Sequence, residues 1–459
     1  MIMTIPKIII GLLFYVLSAS AWGVDCSSAY ISLNNQDEED NFQTTYGGGS
    51  ICDRVTHDLE VSGNDITNLD GLTDLKSIGQ NLTINHNDLL ENIHGLVNLL
   101  SVDVSVGIGY NPLLTSLAGL DSLNMVGGDL SIFNNDTLTT IDALSGLSIF
   151  AGDLNVDSNA SLQNIDGLEG LANLIDLRIG TNSALANIDG LSNVSSIEGY
   201  VWINDNSQLS NLNGLANLTS AGKDLTINSN AALTNIDGLA NLSNTSLGVS
   251  ITRNNSLTNV DGLSGLTSVG RDLRVQINPV ITSTYGLRNV MSVGGNLVIG
   301  NNDILSEIDG LANVSFVGSD LRIGINDSLE NIDGLSSVTY VGNELSVNDN
   351  PNLTNLNGLI SLVGTGGNLI VHHNQNLASV YGLRAVQSVG SNFQLTENFL
   401  LANCTILTTL LDQIDDYDPG PGPGDANISD VGENLVLRDN LRGCNSISEI
   451  LPIFKDGFE

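Results

Sequence analysis

One pattern of apolar and polar positions recurs through most of the chain with a period of 24 residues. It is clearest at 297–320, LVIGNNDILSEIDGLANVSFVGSD, which has the form L-x-I-x-x-N-x-x-L-x-x-I-D-G-L-x-x-V-x-x-V-G-x-x. The alternation in L-x-I places two apolar side chains on one face of a short strand. A fixed period of about 20–50 residues is typical of solenoids, in which stacked coils bury one another's apolar residues.

Two columns of residues keep step with this period. The glycine of I-D-G-L recurs every 24 residues from Gly71 to Gly382, with Ala143 in one gap and a single interval of 23 between Gly167 and Gly190. An amide can donate and accept hydrogen bonds and tolerates left-handed backbone, so we predict that the second column, of asparagines, turns inward at a corner of each coil. This column is Asn87, Asn111, Asn135, Asn159, Asn182, Asn206, Asn230, Asn254, Asn278, Asn302, Asn326, Asn350, Asn374 and Asn398.

The repeat resembles two related families. The run L-x-I-x-x-N-x-x-L resembles leucine-rich repeats, and the fuller unit, with V-G-G-x-L-x-I before the asparagine and I-D-G-L after it, resembles the receptor L domain. The resemblance covers roughly 52–444. It implies a right-handed β-helix of the kind found in insulin- and EGF-receptor ectodomains, fungal cell-wall proteins and bacterial surface proteins. The array has about fifteen coils whereas a receptor L domain has a handful, so receptor signalling is not implied.

The first 21 residues have the form of a secretory signal peptide. Lys7 is their only charge, Ile8–Leu17 is apolar, and Ala19–Ala21 offers a small-residue cleavage site. The apolar run is too short to span a membrane comfortably. We therefore expect cleavage and export, a secreted or cell-surface protein, and no membrane insertion after the signal peptide is removed.

The rest of the chain divides into an array with a cap at each end. The predicted segments are an N-terminal cap at 22–56, a solenoid of 24-residue repeats at 57–403, a C-terminal cap at 404–452 and a tail at 453–459. We expect the first coil to be centred on Asn64, and one coil, at 172–176, is a residue short. The C-terminal cap is predicted to contain a short helix at 405–414, a Pro/Gly-rich loop at 415–425 and a last strand at 435–437.

Four cysteines lie at the two ends of the array. Cys26 and Cys52 bracket the segment before the first coil, whereas Cys404 and Cys444 bracket the segment after the last regular one. A solenoid must cover its open apolar ends, and an exported chain can use disulfides to hold the covering segments. We predict the pairs Cys26–Cys52 and Cys404–Cys444, since the other pairings would join opposite ends of a long rod.

The charge balance narrows the classes of partner. The chain has 14 Lys and Arg against 51 Asp and Glu, and loss of Lys7 with the signal peptide changes the net charge from −37 to −38. Binding to nucleic acid or to an anionic membrane surface rests on Lys and Arg, so we expect neither. The acidity instead suits solubility or cation binding.

The Asp of I-D-G forms an acidic column that raises the question of calcium. Its members are Asp70, Asp142, Asp166, Asp189, Asp237, Asp261, Asp309 and Asp333. We predict that each Asp caps the helical turn begun by G-L-x-x-L, because its oxygens can accept backbone N–H bonds there. The alternative is a Ca²⁺ ladder, which needs oxygens that converge on one ion, and the spacing shows no convergence. The five histidines are too dispersed for a zinc site or a catalytic triad, so we predict no cofactor and no metal site.

A second acidic column precedes the strand, and arginines follow it on the same strand face. The acidic residues are Asp129, Asp153, Asp176, Asp224, Asp272, Asp320 and Glu344, and the arginines are Arg178, Arg274 and Arg322. One interpretation is charge compensation between same-face neighbours, such as Asp176 with Arg178. The other is a basic stripe that faces a ligand.

One part of this strand face carries the residue types that dominate binding hot spots. Trp202, one of the two Trp residues of the chain, lies one coil from Arg178 and two residues from Tyr200, so both rings should project the same way. We predict a ligand-binding site formed by Arg178, Tyr200, Trp202, Arg253 and Arg274. The alternative is that Trp202 only covers its neighbours while the arginines neutralise adjacent carboxylates.

These features favour a non-catalytic β-solenoid that presents an extended surface to an extracellular protein or glycan. The alternatives are a β-helix polysaccharide lyase or hydrolase and a purely structural envelope protein. A β-helix lyase needs carboxylates and a Lys or Arg clustered over a groove in a few neighbouring coils, whereas the Asp columns are spread evenly along the array. We therefore predict no enzymatic activity.

Overall fold

The computed structural model describes residues 23–26, 28, 30–402, 404, 407, 435–440 and 444–445. The predicted signal peptide, the Pro/Gly-rich loop at 415–425 and the tail at 453–459 lie outside these residues, as does the predicted helix at 405–414 apart from Leu407. Parallel strands stack along the described part of the chain, which confirms the leucine-rich-repeat-like β-solenoid that the repeat predicts.

The longest sheet, which we call the main sheet, has 17 parallel strands. Each strand pairs in register with its equivalents in the neighbouring coils, so that Leu297 lies between Leu273 and Leu321. The predicted last strand is present and joins the end of this sheet. In chain order the strands are Ile31–Leu33, Leu59–Val61, Leu82–Asn85, Val106–Gly109, Leu130–Phe133, Leu154–Asp157, Leu177–Gly180, Val201–Asn204, Leu225–Asn228, Val249–Thr252, Leu273–Gln276, Leu297–Gly300, Leu321–Gly324, Leu345–Asn348, Leu369–His372, Phe393–Thr396 and Leu435–Arg438.

The alternation in L-x-I gives the main sheet a buried face and an outward face. Leu297 and Ile299 have no exposed surface, and the equivalent aliphatic residues of the other regular coils are buried too. Leu305, after the asparagine, and Leu311, in the I-D-G-L segment, belong to the buried ring of this coil, as do Ile308, Val314 and Val317. Because each ring is covered only by the coils on either side, the array needs a cap at each end.

Two narrow sheets of two-residue strands lie before the main-sheet strands. The first narrow sheet ends at Ile149–Phe150 and the second begins at Asn173–Leu174, because these two strands do not pair. The gap between the two sheets coincides with the coil that is one residue short. The main sheet continues through the same point, since Leu154 still pairs with Leu177. The first narrow sheet has Arg54–Val55, Ser77–Ile78, Ser101–Val102, Met125–Val126 and Ile149–Phe150, and the second has Asn173–Leu174, Ser196–Ile197, Ser220–Ala221, Asn244–Thr245, Ser268–Val269, Ser292–Val293, Phe316–Val317, Tyr340–Val341, Gly364–Thr365 and Ser388–Val389.

The I-D-G-L segment forms a turn of 3-10 helix in most coils. The side chain two positions before the Asp accepts the first backbone N–H of this turn: the N–H of Asp166 donates to Oδ1 of Asn164 at 3.1 Å. The predicted capping role of the Asp column is wrong, because the Asp is already the first helical residue and its side chain makes no capping bond. The turns are Asp70–Leu72, His94–Leu96, Asp142–Gly146, Asp166–Leu168, Asp189–Leu191, Asn213–Leu215, Asp237–Leu239, Asp261–Leu263, Tyr285–Leu287, Asp309–Leu311, Asp333–Leu335, Asn357–Leu359 and Tyr381–Ala385.

The glycine column reflects a close approach between successive coils. A Cβ atom at Gly334 would lie 1.9 Å from the carbonyl oxygen of Ile308 in the preceding coil, a distance that no side chain tolerates. The exception, Ala143, follows the coil in which Gly119 has a φ of 118° and no 3-10 turn forms. The column is therefore set by packing between coils rather than by a need for positive φ.

The asparagines form a continuous hydrogen-bond ladder inside the solenoid. All 14 predicted members have no exposed surface. In one coil, Oδ1 of Asn302 accepts the N–H of Asn278 at 3.1 Å. The Nδ2 of Asn302 donates to the carbonyl of Val275 at 3.0 Å, and its N–H donates to Oδ1 of Asn326 at 3.2 Å. A carboxylate has no donor at neutral pH and a hydroxyl has only one, so an amide meets these demands best.

The ladder begins at the first coil, although that coil contributes no asparagine to it. The N–H of Gly63 donates to Oδ1 of Asn87 at 2.8 Å. Asn64 is exposed and lies outside the ladder, so the prediction that the first coil is centred on Asn64 is wrong. The preceding strand, Ile31–Leu33, belongs to the N-terminal cap and has no ladder asparagine after it. The first coil therefore needs no side-chain acceptor at this corner, and the N–H of Gly63 is the first donor of the ladder.

Disulfides hold both caps in the predicted pairs. Cys26–Cys52, with Cα atoms 5.1 Å apart, lies within the N-terminal cap. Cys404–Cys444, with Cα atoms 5.4 Å apart, lies where the asparagine ladder ends: Asn440 Oδ1 accepts the N–H of Asn398 at 3.1 Å. The N-terminal cap contains the strand Ile31–Leu33 and the helices Gln36–Asp40 and Phe42–Tyr46.

Left-handed backbone occurs in the residue before each ladder asparagine, not in the asparagine itself. At 15 positions, from His86 to Asp439, φ lies between 53° and 58°. Three of these residues, Thr181, Ile277 and Ile325, are β-branched, for which this conformation is most strained. Tolerance of left-handed backbone therefore does not explain the asparagine column, and the hydrogen bonds do.

We expect Asn302→Ala to lower the free energy of unfolding by about 1–3 kcal/mol, because it leaves buried backbone groups unpaired. The matched control is Asn301→Gly, since Asn301 is half-buried with a φ of 55°, which glycine adopts without strain. Urea denaturation of both variants and the wild type would test this. Equal midpoints for the two variants would contradict the role assigned to the ladder.

We expect Ile325→Asn to raise the free energy of unfolding by about 1 kcal/mol, because Asn adopts left-handed backbone at lower cost than a β-branched residue. The side chain of Ile325 is 45% exposed, so little apolar burial is lost. Ser229→Asn, at the equivalent corner, is the control and should gain less. The prediction fails if thermal unfolding shows no gain for Ile325→Asn over Ser229→Asn.

The N-terminal cap should weaken as the pH rises through 7. Burial raises the pKa of Glu39 from 4.5 to about 7, and the nearby Asp40 and Asp70 add to the rise. A raised carboxyl pKa gives stability that is fully present below pH 4.5 and is lost as the pH rises through 7. Hydrogen exchange, corrected for its intrinsic pH dependence, should therefore show less protection at 31–46 at pH 8 than at pH 5.5. Glu39→Gln should reduce this difference, and a difference of the same size in that variant would rule out Glu39 as the cause.

Candidate functional site

The outward face of the main sheet is mostly small and polar. The second and fourth residues of each four-residue strand point away from the core, and we call these positions the outward columns. In the strand Leu225–Asn228 they are Thr226 and Asn228, which is typical of the array. The predicted site stands out because it adds aromatic and basic side chains to this face.

Tyr200 and Trp202 form a stacked pair on the outward face. Their ring centroids are 4.5 Å apart and their planes differ by 8°. The Nζ of Lys223 lies 4.4 Å from the centroid of the Tyr200 ring, which is a cation–π contact. Trp202 sits between Arg178 and Thr226 in the register of the main sheet. The fold thus brings Arg178, Tyr200 and Trp202 together.

The position before each main-sheet strand forms a second ladder, which we call the acceptor column. In most coils an Asp, Asn or Ser there accepts the N–H of the same position in the next coil. Asp129 Oδ1 accepts from Asp153 at 2.8 Å, and Asp153 Oδ1 accepts from Asp176 at 3.0 Å. The column of N–H acceptors is interrupted at Tyr200, whose ring turns toward the indole, and at Gly248, which has no side chain. At Glu344 the carboxylate accepts from the side-chain Nδ2 of Asn368 at 3.1 Å instead of from its backbone N–H. This structural role of the second acidic column was not evident from the sequence.

A groove of ≈ 330 Å³ is lined by three successive coils, with Gly248 in the middle coil and Thr226, the register neighbour of Trp202, at one side. A Cβ atom at Gly248 would lie 2.9 Å from Oδ1 of Asp224 and 3.0 Å from the carbonyl oxygen of Asp272, so a larger residue would crowd the groove. The groove therefore places hydroxyl, carboxylate and guanidinium groups next to the aromatic rings. Its polar lining residues are Asp224, Thr226, Ser250, Arg271, Asp272 and Arg274.

The arginines of the site pair with carboxylates but stay accessible. Arg178 binds Oδ2 of Asp157 through Nη2 and Nε, both at 3.0 Å. The expected pairing with Asp176 is wrong, because the acceptor column already engages that carboxylate. Arg274 pairs with Asp272 at 2.9 Å, as expected. The two arginine side chains are 56% and 39% exposed, so these pairs add little stability and leave both guanidinium groups within reach of a ligand.

Arg253 lies apart from the other predicted site residues. It is the corner residue before Asn254, with a φ of 56°, and it is exposed. The corner comes after the end of the strand Val249–Thr252, so Arg253 is not in the outward columns, and its inclusion in the site stays a prediction. Lys223, which the sequence analysis did not identify, lies at the site, because its ammonium group contacts the ring of Tyr200.

Carboxylates stack along the array rather than gather at one point. Burial raises the pKa of Asp153, and the charges of Asp129 and Asp176 raise it further. Burial likewise raises the pKa of Asp166, together with Asp189 and its other acidic neighbours. Among the described residues, no group of three or more His, Cys, Asp or Glu side chains is arranged to hold a metal ion.

A second aromatic cluster, which the sequence analysis missed, lies farther toward the N-terminal end. The rings of His86 and Tyr110 are stacked with centroids 4.5 Å apart, and the ring of Phe133 meets Tyr110 edge-on at 5.4 Å. Phe133 lies across Gly109 of the preceding coil: a Cβ atom there would be 2.5 Å from the ring. The signal that could have revealed this cluster is the pair Gly107 and Gly109, in a strand flanked by aromatic residues one coil apart.

A larger groove of ≈ 460 Å³ lies on the same face near the C-terminal cap. Arg322 and Arg438 line it together with the apolar Ile370 and Val436. Arg322 pairs with two carboxylates, that of Asp320 at 2.9 Å and that of Glu344, in the next coil, at 3.1 Å. The Arg322 side chain is 49% exposed, and the imidazole of His372 also lines this groove, but no Trp, Tyr or Phe ring is among its lining residues.

Comparisons with known proteins add little to this description. No family model and no curated protein matches the chain. A leucine-rich-repeat protein of Leptospira interrogans is similar in structure, with 15% sequence identity, coverage of 70% of this chain and 85% of the other, and a TM-score of 0.26. A likeness at that TM-score carries no argument about function. The fold assignment rests on the strands, the ladders and the caps described above.

Proposed function

We propose that the chain is an exported, non-catalytic binding protein whose main-sheet face receives an extracellular partner between Arg178 and Arg274. The observation that carries this proposal is the interruption of the acceptor column. Tyr200 and Gly248 replace its hydrogen-bonding side chains two coils apart, on the two sides of Trp202 and Thr226. Local departures from a structural rule, when they expose aromatic residues and open a groove, are typical of functional sites.

The scaffold suits recognition because its face needs no rearrangement to bind. Backbone pairing on both sides of each strand and the asparagine ladder behind the sheet hold the outward residues in fixed positions. A preorganised surface loses little conformational entropy on binding. The two disulfides are typical of an oxidising compartment, which supports export. Among the described residues, no helix has the length and apolarity needed to cross a membrane.

We expect Trp202→Ala to weaken binding about tenfold or more, because aromatic side chains that become buried when a partner binds dominate the binding energy of interfaces. The mature chain would be applied to a protein and glycan array, and the affinity of each variant for the strongest ligand measured by calorimetry. Arg178→Ala and Arg274→Ala should weaken binding less. All three variants should melt within a few degrees of the wild type, since their side chains are partly exposed.

The matched control is Phe316→Ala, which removes an aromatic ring that is 47% exposed on the second narrow sheet, away from the proposed face. It should bind as the wild type does. Normal binding by Trp202→Ala, Arg178→Ala and Arg274→Ala together would show that the partner docks elsewhere, and the proposed site would have to be abandoned.

A further inference from the structure

We propose that the ligand of this face is a linear, neutral polysaccharide that lies across the strands, with Phe133 and Trp202 as two stacking positions. This inference rests on the binding function proposed above and names its ligand class. Phe133 is in the strand Leu130–Phe133, and Trp202 is in the strand three positions along the main sheet. At the usual strand spacing the two strands are roughly 14 Å apart across the sheet. Phe133 is in register with Asn204, two residues beyond Trp202, so the two positions are roughly 16 Å apart.

The shape of the surface between these rings suits a single chain. From Leu130–Phe133 to Leu273–Gln276 the main sheet advances six strands, or roughly 29 Å at about 4.8 Å per strand. The two outward columns are two residues apart along each strand, a width of about 7 Å. This strip is far smaller than the surface of about 800 Å² that each partner buries in a typical protein interface. It is long and narrow, as is a polysaccharide chain.

The aromatic rings provide the apolar part of such a site. A pyranose ring carries C–H groups on its faces and hydroxyl groups around its edge, so its faces pack on aromatic side chains while its edge makes hydrogen bonds. Trp202 and Phe133 are both partly exposed in the outward columns. Each is held in place by a second ring, Tyr200 at 4.5 Å and Tyr110 at 5.4 Å respectively. Fixed rings bind with a small loss of side-chain entropy.

Polar side chains between and beyond the rings provide the other part. Asn155 and the Arg178–Asp157 pair lie between the two rings, and Thr226 and Ser250 follow Trp202 in the same outward column. A sugar hydroxyl both donates and accepts, so it can pair with amide, guanidinium, carboxylate and hydroxyl groups alike.

Charge and strand pairing argue against other linear ligands. The chain has a net charge of −37, which disfavours an acidic polysaccharide and a nucleic acid. Each strand from Leu130–Phe133 to Leu273–Gln276 has a neighbour on both sides, so a peptide cannot add to the sheet as an extra strand. A neutral glycan requires neither positive charge nor a free strand edge.

The test is calorimetric titration of the mature chain with oligosaccharides of two to eight sugars from four neutral glycans: β-1,4-glucan, β-1,3-glucan, β-1,4-mannan and β-1,4-xylan. We expect at least one series to bind, with affinity that rises with length until an oligosaccharide reaches both rings and then stays constant. Phe133→Ala and Trp202→Ala should each weaken the longest oligosaccharide about tenfold. The double variant should lose the dependence on length, Trp202→Phe should retain most of the affinity, and Phe316→Ala should behave as the wild type.

Three outcomes would overturn the inference. If Trp202→Ala weakens a glycan and Phe133→Ala does not, the ligand is confined to the groove beside Trp202 and no two-ring site exists. If none of the four glycans binds but a protein ligand binds in a manner that depends on Trp202, the ligand class is wrong and the proposed binding function stands. If glycans bind equally to the wild type and the double variant, both the inference and the proposed site fail.

Discussion

The buried asparagine of each coil is the interaction on which the rest of the solenoid depends. A coil of 24 residues must reverse direction several times, and each corner leaves backbone donors and acceptors that no strand can pair. The amide of Asn302 satisfies such groups in its own and the adjacent coils at once, through bonds of 3.0–3.2 Å. Because every amide also binds the next one, the ladder links the coils along the inside while the main sheet links them along one side.

The two ladders differ in how much variation they tolerate. The asparagine ladder is fully buried, and every described coil after the first keeps its amide. The acceptor column is mostly half-buried or exposed, and it accepts Asp, Asn and Ser as well as the interruptions at Tyr200 and Gly248. Water can replace a lost acceptor near the surface but not in the core. Variation that creates a binding surface is therefore found in the column where it costs less stability.

The caps cover apolar residues at the ends of the solenoid, whereas the proposed site lies on a face that stays exposed. At both ends a disulfide holds the cap, and at the N-terminal end two short helices cover an apolar ring that no further coil would bury. Glu39 of the first of these helices accepts the N–H of Gly71, and its burial raises its pKa to about 7. In the middle, the outward face needs no cover, because its residues are mostly small and polar. Glycines shape both regions, since Gly334 lets coils approach closely in the core and Gly248 opens a groove at the surface.

The period and alternation of the sequence by themselves determined the coil, the parallel strands, the inward asparagines and the paired cysteines at each end. These follow from short-range patterns that repeat, because burial of Leu297 and Ile299 forces the same orientation on every coil. Only the tertiary structure decided that Arg178 binds Asp157, that Phe133 lies across Gly109 and that a groove opens at Gly248. Each of these joins residues more than twenty positions apart in different coils, and their side-chain directions depend on how the coils stack rather than on any local pattern.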